Sequence, residues 1–484
     1  MQVVFALPVI QVNELAGGGP GGHFWRRRFG GSSEPGATRE EGTHMFRISL
    51  VVSVLLVGMA AVVSAQQEGA TVNALDVRAF GAKGDGQTDD ATAFQQAMDA
   101  AAGAGGGIVH AGTGSYLIKG HLQIPDYVTL SGVWSAPTSW AEHKGTVLLA
   151  VEGEGSEEGP PFVSLGRNST IKGISIFYPN QKPDAIKPYP WCIAGRGGDN
   201  SAIVDCLIVN PYLGVDFGTN PSGRHYIRNL YGQPLRKGIF VDKCYDIGRI
   251  ENVHFWPFWN GDDKNGAVKF NHENGEAFIF GRTDWEYVFN TFMWGYKIGY
   301  RFIQTEAGAT NGNFLGIGAD ANETSVLVEA SQPYGILITN GEFVAFIGEE
   351  PVEVRVLPTN AGQVQFQNCA FWGPAHHIAS TAGTGVVTFN NCHFHHWAEG
   401  VPALQAAEGS LSVIGCTFSR EAPQIELGES VKSAVIMGNQ VRGKVDIRSK
   451  SKGSVEIGMN VSTSAPSKKT QPAPKPEKQW EWDH

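Results

Sequence analysis

Carboxylates and large aromatic residues are concentrated in one segment of the chain, residues 251–302. Carboxylates can move protons and bind hydroxyl groups, and aromatic rings offer flat faces to the C–H faces of sugars. Hydrolysis of a glycosidic bond needs two carboxyl groups flanking the bond, one protonated and one ionised. The candidate catalytic residues are Asp262, Asp263, Asp284 and Glu286, and the candidate substrate-binding residues are Trp256, Trp259, Trp285, Tyr287, Trp294 and Arg282.

These residues also have structural interpretations. Asp262 and Asp263 follow Asn260-Gly261, a pattern that suits a surface turn. The run Asp284-Trp285-Glu286-Tyr287 alternates, so in a strand both acids would share one face and both aromatic residues the other. Large aromatic residues also fill cores, and Phe255 and Phe289 are predicted to do so.

A second cluster consists of histidines: His376, His377, His393, His395 and His396. Histidines on adjacent outward positions can bind a metal or titrate near neutral pH. The sequence fixes no carboxylate beside them, so surface histidines are the favoured interpretation and no metal site is predicted.

A recurring four-residue word indicates how the chain positions its side chains. It consists of a turn residue, a small or apolar residue, a variable residue and an apolar residue, as in Asn368-Cys369-Ala370-Phe371. Further copies begin at Gly173, Asp205, Asn229, Asn252, Asn311, Asn340, Asn391, Gly415 and Gly438. Several successive copies lie 23 or 24 residues apart, and a fixed period of this length is typical of a solenoid.

Each copy predicts a sharp corner followed by a short strand, because Asn, Asp and Gly tolerate left-handed backbone angles. The second and fourth residues then face one side and the third faces the other. Stacked coils would align Cys369, Cys392 and Cys416 in one inward file, and Phe371, Phe394 and Phe418 in the next. The predicted fold class is therefore an all-β parallel β-helix, in which these cysteines are packing residues rather than ligands or disulfides.

A short amphipathic helix is predicted at the start of the solenoid. Thr88 or Asp89 is a suitable N-cap, and the helix ends at the glycines 103–107. Its apolar stripe consists of Phe94, Ala97, Met98 and Ala101. Such a helix would cover the first coil, whose core and strand edges otherwise meet water.

The string VRAFGAKGDGQTDDATAFQQAM (77–98) and the later IVHAGTGSYLIKG (108–120) resemble the opening of the pectate-lyase-like β-helix superfamily. That superfamily includes rhamnogalacturonases, polygalacturonases, epimerase-like proteins and phage tailspike domains. The resemblance implies a right-handed parallel β-helix with a short N-terminal capping helix, which we expect over residues 71–461. It does not specify a reaction, because the motif is structural.

The catalytic motifs of the superfamily are matched only in fragments. Gly261-Asp262-Asp263 resembles the Asp-Asp motif of polygalacturonase-like hydrolases, but the chain has no Gly-His-Gly and no Arg-Ile-Lys. Lyase members use calcium held by carboxylates and an Arg or Lys base. Arg282, Lys264 and Lys269 lie near the acids, so elimination is an alternative, although the Arg-x-Pro-x-x-Arg pattern of some pectate lyases is absent.

The two ends of the chain are predicted to lie outside the solenoid. Residues 46–65 combine a charged start, an apolar run and Val63-Ser64-Ala65, which is the secretory pattern, and the run is shorter than the ~20 residues of a membrane span. We expect residues 1–44 to be disordered or to precede the true start, 45–65 to be a signal peptide cleaved near Ala65, and 462–484 to be a disordered Pro/Lys-rich tail. The protein is thus expected to be secreted or periplasmic, without a stable membrane anchor.

The functional prediction joins these observations. A net charge of −10 argues against a nucleic-acid partner. We predict a secreted carbohydrate-active enzyme that hydrolyses a polysaccharide through paired carboxylates in an aromatic groove, without a cofactor. The alternatives are a polysaccharide lyase, with calcium as its cofactor, and a non-catalytic β-helix that binds glycan.

Overall fold

The computed structural model describes residues 74–137 and 144–463. Over these residues the chain winds about 15 times into a right-handed parallel β-helix, as predicted. The segments 1–44 and 45–65 lie outside the described residues, as does the tail beyond residue 463. In the described part of the chain, no helix has the length and apolar character needed to cross a membrane.

Three parallel sheets, A, B and C, run the length of the solenoid. The strands of sheet A are Ala74–Asp76, Gly107–His110, Val128–Ser131, Thr170–Lys172, Thr283–Phe289, Thr310–Leu315, Ser331–Thr339, Gln363–Gln367, Val386–Asn390 and Ser454–Gly458. Those of sheet B are Asp85–Asp89, Gly114–Ile118, Thr146–Ala150, Ile174–Phe177, Phe292–Trp294, Gly318–Asn322, Glu342–Ala345, Ala370–Phe371, His393–Phe394, Thr417–Phe418, Gln440–Arg442 and Val461–Thr463.

Sheet C contains Leu122–Ile124, Val163–Leu165, Trp191–Gly195, Leu213–Phe217, Lys237–Val241, Glu276–Phe280, Ile298–Phe302, Thr324–Val328, Val352–Val356, His377–Thr381 and Ile447–Ser449. Three strands bend from sheet A into sheet B: Ala202–Ile208, Tyr226–Gly232 and Arg249–Phe255. Two more continue from sheet C into sheet A: Leu404–Ile414 and Ile425–Met437.

The corner between sheets A and B is made by the residues that the four-residue word predicts. The turn residues Asn229, Asn252, Asn340, Asn368 and Asn391 all have φ between 51° and 57°. Their side chains also form a ladder, since the amide of Asn252 donates to Asn229 at 2.7 Å and that of Asn368 donates to Asn340 at 2.7 Å. Asparagine thus supplies both the left-handed backbone and a hydrogen bond between windings.

One copy of the word was placed wrongly. Asn311 lies inside the strand Thr310–Leu315, and the corners of this region are Asn290 (φ 50°) and Gly316 (φ 63°). The words Asn290-Thr291-Phe292-Met293 and Gly316-Ile317-Gly318-Ala319 fit the same pattern but were missed.

The interior side chains lie in files, as predicted. Cys369, Cys392 and Cys416 are buried and free, and the Cys416 sulfur accepts a hydrogen bond from the Cys392 backbone at 3.4 Å. Phe371 stacks on Phe394 at 5.5 Å between ring centroids. Both files therefore fill the core.

Within the described ranges, two α-helices and one short 3₁₀ helix interrupt the coils: Val77–Phe80 (3₁₀), α1 (Ala91–Gly103) and α2 (Ala267–Asn274). The predicted stripe of α1 is buried, and Phe94 packs edge-on against Tyr116 at 5.0 Å. The predicted N-cap was wrong by one or two residues, because the cap is Asp90. Its carboxylate instead accepts the backbone N–H groups of Lys83 and Gly84, which ties the preceding loop to the helix.

Candidate functional site

A groove on the outer face of sheet B combines two carboxylates with large aromatic rings; we call it the sheet B groove. It has a volume of about 240 Å³. Its lining includes Phe292, Gly318, Asp320, Glu342 and Trp372. These residues face outward because they alternate along their strands with fully buried ones. In this way the regular solenoid places acids from adjacent windings on one surface.

The strand register brings the carboxylates and the rings together. Trp294 pairs with Asp320 across neighbouring strands, and Gly318 pairs with Glu342. Paired residues lie on adjacent strands about 4.8 Å apart. A side chain at position 318 would collide with the ring of Phe292, because a Cβ there would lie 2.8 Å from that ring. Gly318 therefore leaves room for Phe292 to lie over the floor of the sheet B groove.

Asp320 stands at an irregular point of its strand. The register with the next winding shifts between Ala319 and Asn322, and Ala321 has φ 57°, which is unfavourable for a residue with a side chain. Asn322 anchors the bulge by donating to the carbonyl of Tyr296 at 2.8 Å. Burial raises the pKa of the Asp320 carboxyl, against the opposing effect of a hydrogen bond from the Ala321 backbone. A carboxyl group shifted in this direction suits a proton donor.

Aromatic and imidazole rings extend the surface along sheet B. Trp256 and Trp294 are both predicted to bind substrate, and their ring centroids lie 5.4 Å apart. The ring centroid of His272, on α2, lies 6.0 Å from that of Trp294. His254 contacts Phe292 at 5.3 Å. Burial lowers the pKa of both histidines, although the charge of Asp263 partly opposes this at His272. Both are therefore neutral at pH 7, and the Nε2 atom of each is buried without a hydrogen-bond partner.

Asp262, Asp263 and Trp259 lie in the loop that follows sheet B and leads into α2. The exposed carboxylate of Asp262 accepts the backbone N–H groups of Lys264 and Asn265, and these bonds lower its pKa. Asp262 therefore stabilises a turn. The Trp259 backbone N–H donates to the Gln233 side chain at 3.0 Å. A catalytic role for Asp262 or Asp263 stays a prediction.

Arg282, Asp284, Trp285 and Tyr287 lie on a different surface, the outer face of sheet A. Arg282 donates to Asp284 at 2.9 Å, and Trp285 lines a pocket of about 380 Å³ together with Tyr334 and Asn311. We call this the sheet A surface. Phe289 also belongs to this face and is 50% exposed, so its predicted place in the core was wrong.

The alternation predicted for Asp284 and Glu286 was also wrong. Trp285 adopts φ 64°, and the register shifts between Thr283 and Glu286. This bulge turns Asp284 outward and Glu286 inward.

Glu286 is fully buried and accepts a hydrogen bond from His225 at 2.9 Å. Burial by itself lowers the pKa of His225, but the Glu286 carboxylate and the Cys244 side chain together more than offset this and raise it well above its ordinary value. No polymer can reach Glu286 in the interior, so its predicted catalytic contact with a sugar is incompatible with its position.

Asp320, Glu342 and Trp372 were missed by the sequence analysis as site residues. Glu342 is the third, outward position of the word at Asn340, and Trp372 lies two residues after the outward Ala370 of the word at Asn368. The signal for Asp320 is the word beginning at Gly316. Its third position, Gly318, faces outward, so the residue two further along, Asp320, does too.

A buried acid supports one wall of the sheet B groove. The side chain of Glu353 is fully buried and accepts the backbone N–H of Gly373, the residue after Trp372, at 3.0 Å. Its second oxygen has no hydrogen-bond partner. Burial raises the pKa of Glu353 well above its ordinary value, more than the hydrogen bonds lower it.

The Glu353→Gln variant tests whether Glu353 is protonated in the folded protein. The folded protein holds the Glu353 proton whereas the unfolded chain releases it above pH ~4.3. Wild-type stability should therefore fall, relative to the variant, by up to about 1.4 kcal/mol per pH unit between that pH and the pKa of the folded state. Urea unfolding between pH 4 and 8 measures the difference, with the exposed Glu349→Gln as control. Equal pH dependence in wild type and Glu353→Gln would contradict a protonated Glu353.

Comparison with known proteins places the sequence among β-helix proteins. Residues 74–173 match the family described as rhamnogalacturonase A/epimerase, pectate lyase-like. Alginate lyase 7 of Azotobacter vinelandii is 41% identical over 80 residues. The match covers 16% of this chain and 9% of that protein, so the chain spans only a small part of this relative.

Solved structures resemble the whole solenoid. The A-module of the mannuronan C-5 epimerase AlgE6 from Azotobacter vinelandii aligns with 81% of this chain and 99% of its own, with a TM-score of 0.50 and 18% identity. The N-terminal fragment of gene product 12 from bacteriophage phi29 aligns with 80% of this chain and 70% of its own, with a TM-score of 0.56 and 14% identity. These likenesses establish the fold.

Proposed function

This chain is a right-handed parallel β-helix of the pectate-lyase-like kind, and we propose that it is a carbohydrate-active enzyme that cleaves a polysaccharide in the sheet B groove. The observation that carries the proposal is the placement of Asp320 and Glu342 on adjacent windings beside Trp294 and Trp372. An open groove along a straight sheet suits an extended polymer. The secretory pattern of residues 46–65 supports action outside the cytoplasm, where such polymers occur.

Hydrolysis is the reaction that the sheet B groove supports best. Asp320, with its raised pKa, donates a proton to the departing glycosidic oxygen, and exposed Glu342 serves as the second carboxylate. Among the described residues that line the groove, none is lysine or arginine. A polymer with many carboxylates would therefore be repelled by the two acids, which favours a neutral substrate.

Elimination is the second candidate, and the local identity with an alginate lyase favours it. A lyase acts on a uronate polymer, so calcium bound by the groove carboxylates would have to offset the substrate's charge. Its products contain a carbon–carbon double bond that absorbs ultraviolet light, whereas hydrolysis creates reducing ends without this absorbance.

A panel of neutral and uronate polysaccharides tests both reactions. Reducing ends and ultraviolet absorbance are measured in parallel, with calcium and with a chelator. Reducing ends alone support hydrolysis, and absorbance that requires calcium supports the lyase. Retention on a polysaccharide without any product would contradict an enzyme and leave a glycan-binding β-helix.

Trp294→Ala should separate the two candidate surfaces. Trp294 adjoins Asp320, so removal of its ring should weaken polysaccharide binding about tenfold, or about 1.4 kcal/mol, because the apolar face of a sugar loses its platform. The matched control is Trp285→Ala on the sheet A surface, which should bind as the wild type does. Affinity electrophoresis measures both. The opposite result, with only Trp285→Ala impaired, would move the binding site to the sheet A surface.

A further inference from the structure

Three potential metal ligands meet inside the solenoid, away from both outer surfaces. His225 precedes the strand Tyr226–Gly232, Cys244 forms a β-bridge with Thr283, and Glu286 lies on the strand Thr283–Phe289. All three side chains are completely buried, and their ligand atoms lie within 4.8 Å of one another. No other group of this kind occurs among residues 74–137 and 144–463.

The orientation of His225 leaves one ring nitrogen available. Its Nδ1 lies 2.9 Å from the Ser222 carbonyl, and because a carbonyl only accepts, Nδ1 carries the proton. The ring also stacks on Phe217, with 5.0 Å between centroids. Nε2 therefore points at Glu286. A histidine that donates one N–H to a carbonyl and presents the other nitrogen is the usual arrangement of a metal ligand.

Glu286 is only half satisfied by protein groups. Its Oε1 is bonded to His225, but its Oε2 has no partner although it is buried. A buried carboxylate oxygen without a partner is costly. Gly248 lies beside it, and a Cβ there would come within 2.3 Å of both Glu286 Oε2 and the His225 ring. This position therefore requires glycine, because a side chain there would collide with both groups.

We infer that His225, Cys244 and Glu286 bind a divalent metal ion of the zinc class in the interior of the β-helix. One imidazole, one thiolate and one carboxylate form a donor set that zinc accepts. Zinc lies about 2.0–2.2 Å from nitrogen and oxygen and about 2.3 Å from sulfur, distances that these atoms reach by small side-chain movements. Binding releases the Cys244 thiol proton and the His225 Nε2 proton.

The competing arrangement is an ion pair beside a thiol. In that case Glu286 is neutralised by His225 alone, and the Cys244 thiol donates weakly to the Asp246 carbonyl at 3.4 Å. A bound metal ion would give Glu286 Oε2 a partner, whereas the ion pair with His225 leaves that oxygen without one. It would act structurally, by joining neighbouring windings, and it is independent of the reaction proposed for the sheet B groove.

Refolding with cobalt tests the site. The site is closed to solvent, so the ion must enter while the chain folds. The full chain is unfolded in guanidinium with reductant and chelator, and refolded with Co²⁺, Zn²⁺ or no metal. We expect about one retained ion per chain, a near-ultraviolet thiolate-to-cobalt absorption band, and a higher unfolding temperature with metal, because an ion that binds only the folded state stabilises it.

Variants connect the ion to these residues. Glu286→Gln and Cys244→Ala should each lower metal retention at least tenfold, and Cys244→Ala should also remove the absorption band. The matched control is Cys206→Ala, which removes an equally buried cysteine and should keep both signals. If wild-type protein refolded with cobalt shows no band and no retained ion, or if both persist in Cys244→Ala, the inference is overturned. The test does not depend on the folding of the variants, because the wild-type protein alone shows whether cobalt is bound.

Discussion

The Asp320→Asn variant is expected to lose about 10²- to 10⁴-fold in the rate of polysaccharide cleavage while it folds normally. Asparagine keeps the size of the side chain but cannot donate a proton to a departing oxygen. Asp320 is also the carboxyl in the sheet B groove whose pKa burial raises. The turnover number on a polysaccharide from the panel measures the effect, and circular dichroism confirms the fold.

The pH dependence of the cleavage activity tests Asp320 as the proton donor more directly. A general acid works only while protonated, so wild-type activity should fall as the pH rises through the pKa of Asp320, and this limb should disappear in Asp320→Asn. Glu342→Gln should also lose activity, at every pH, because the second carboxylate that hydrolysis needs is removed. The control is Asp184→Asn, an exposed acid outside the sheet B groove. Wild-type activity in Asp320→Asn would exclude the proposed acid.

Phe371→Ala is expected to destabilise the protein by about 3–5 kcal/mol, whereas Trp372→Ala, the next residue, should leave stability nearly unchanged. Phe371 is fully buried and stacks on Phe343 at 5.2 Å and on Phe394 at 5.5 Å. Its loss opens a cavity that the neighbouring windings fill poorly. Trp372 faces outward, is 46% exposed and lines the sheet B groove.

Phe371→Ala should therefore affect the stability of the protein, and Trp372→Ala should affect its binding of polysaccharide. Guanidinium unfolding measures the first property and affinity electrophoresis the second. Trp372→Ala should weaken polysaccharide binding without a change in unfolding midpoint. Equal destabilisation by both substitutions would contradict the inward and outward assignment of this strand.

Much of the fold could be predicted because its rules are local. A left-handed corner depends on one Asn or Gly, and the side of a strand depends on a period of two residues. The copies at Asn368, Asn391 and Gly415 are regular, so the inward files of cysteine and phenylalanine followed directly from them. The capping helix α1 was equally predictable from its apolar stripe.

The candidate site was harder to predict, because its windings are irregular. Corner Asn252 is followed by a corner at Asn290, and the long winding between them carries α2. This insertion displaced the repeat, and Asn311 was mistaken for a corner. The bulge at Trp285 then placed Asp284 and Glu286 on opposite faces of their strand, although the alternation predicted one shared face.

The sequence by itself determined that the chain is a solenoid, where most corners lie and which residues of the regular windings face inward. The tertiary structure alone decided which outward residues become neighbours, because that depends on how loops of unequal length bring separate windings into register. The tertiary structure thereby placed Trp294 and Trp285 on different outer surfaces and brought Asp320 beside Trp294. It also buried Glu286 together with His225 and Cys244. No local rule carries this information, since contacts across windings join residues that are far apart in the chain.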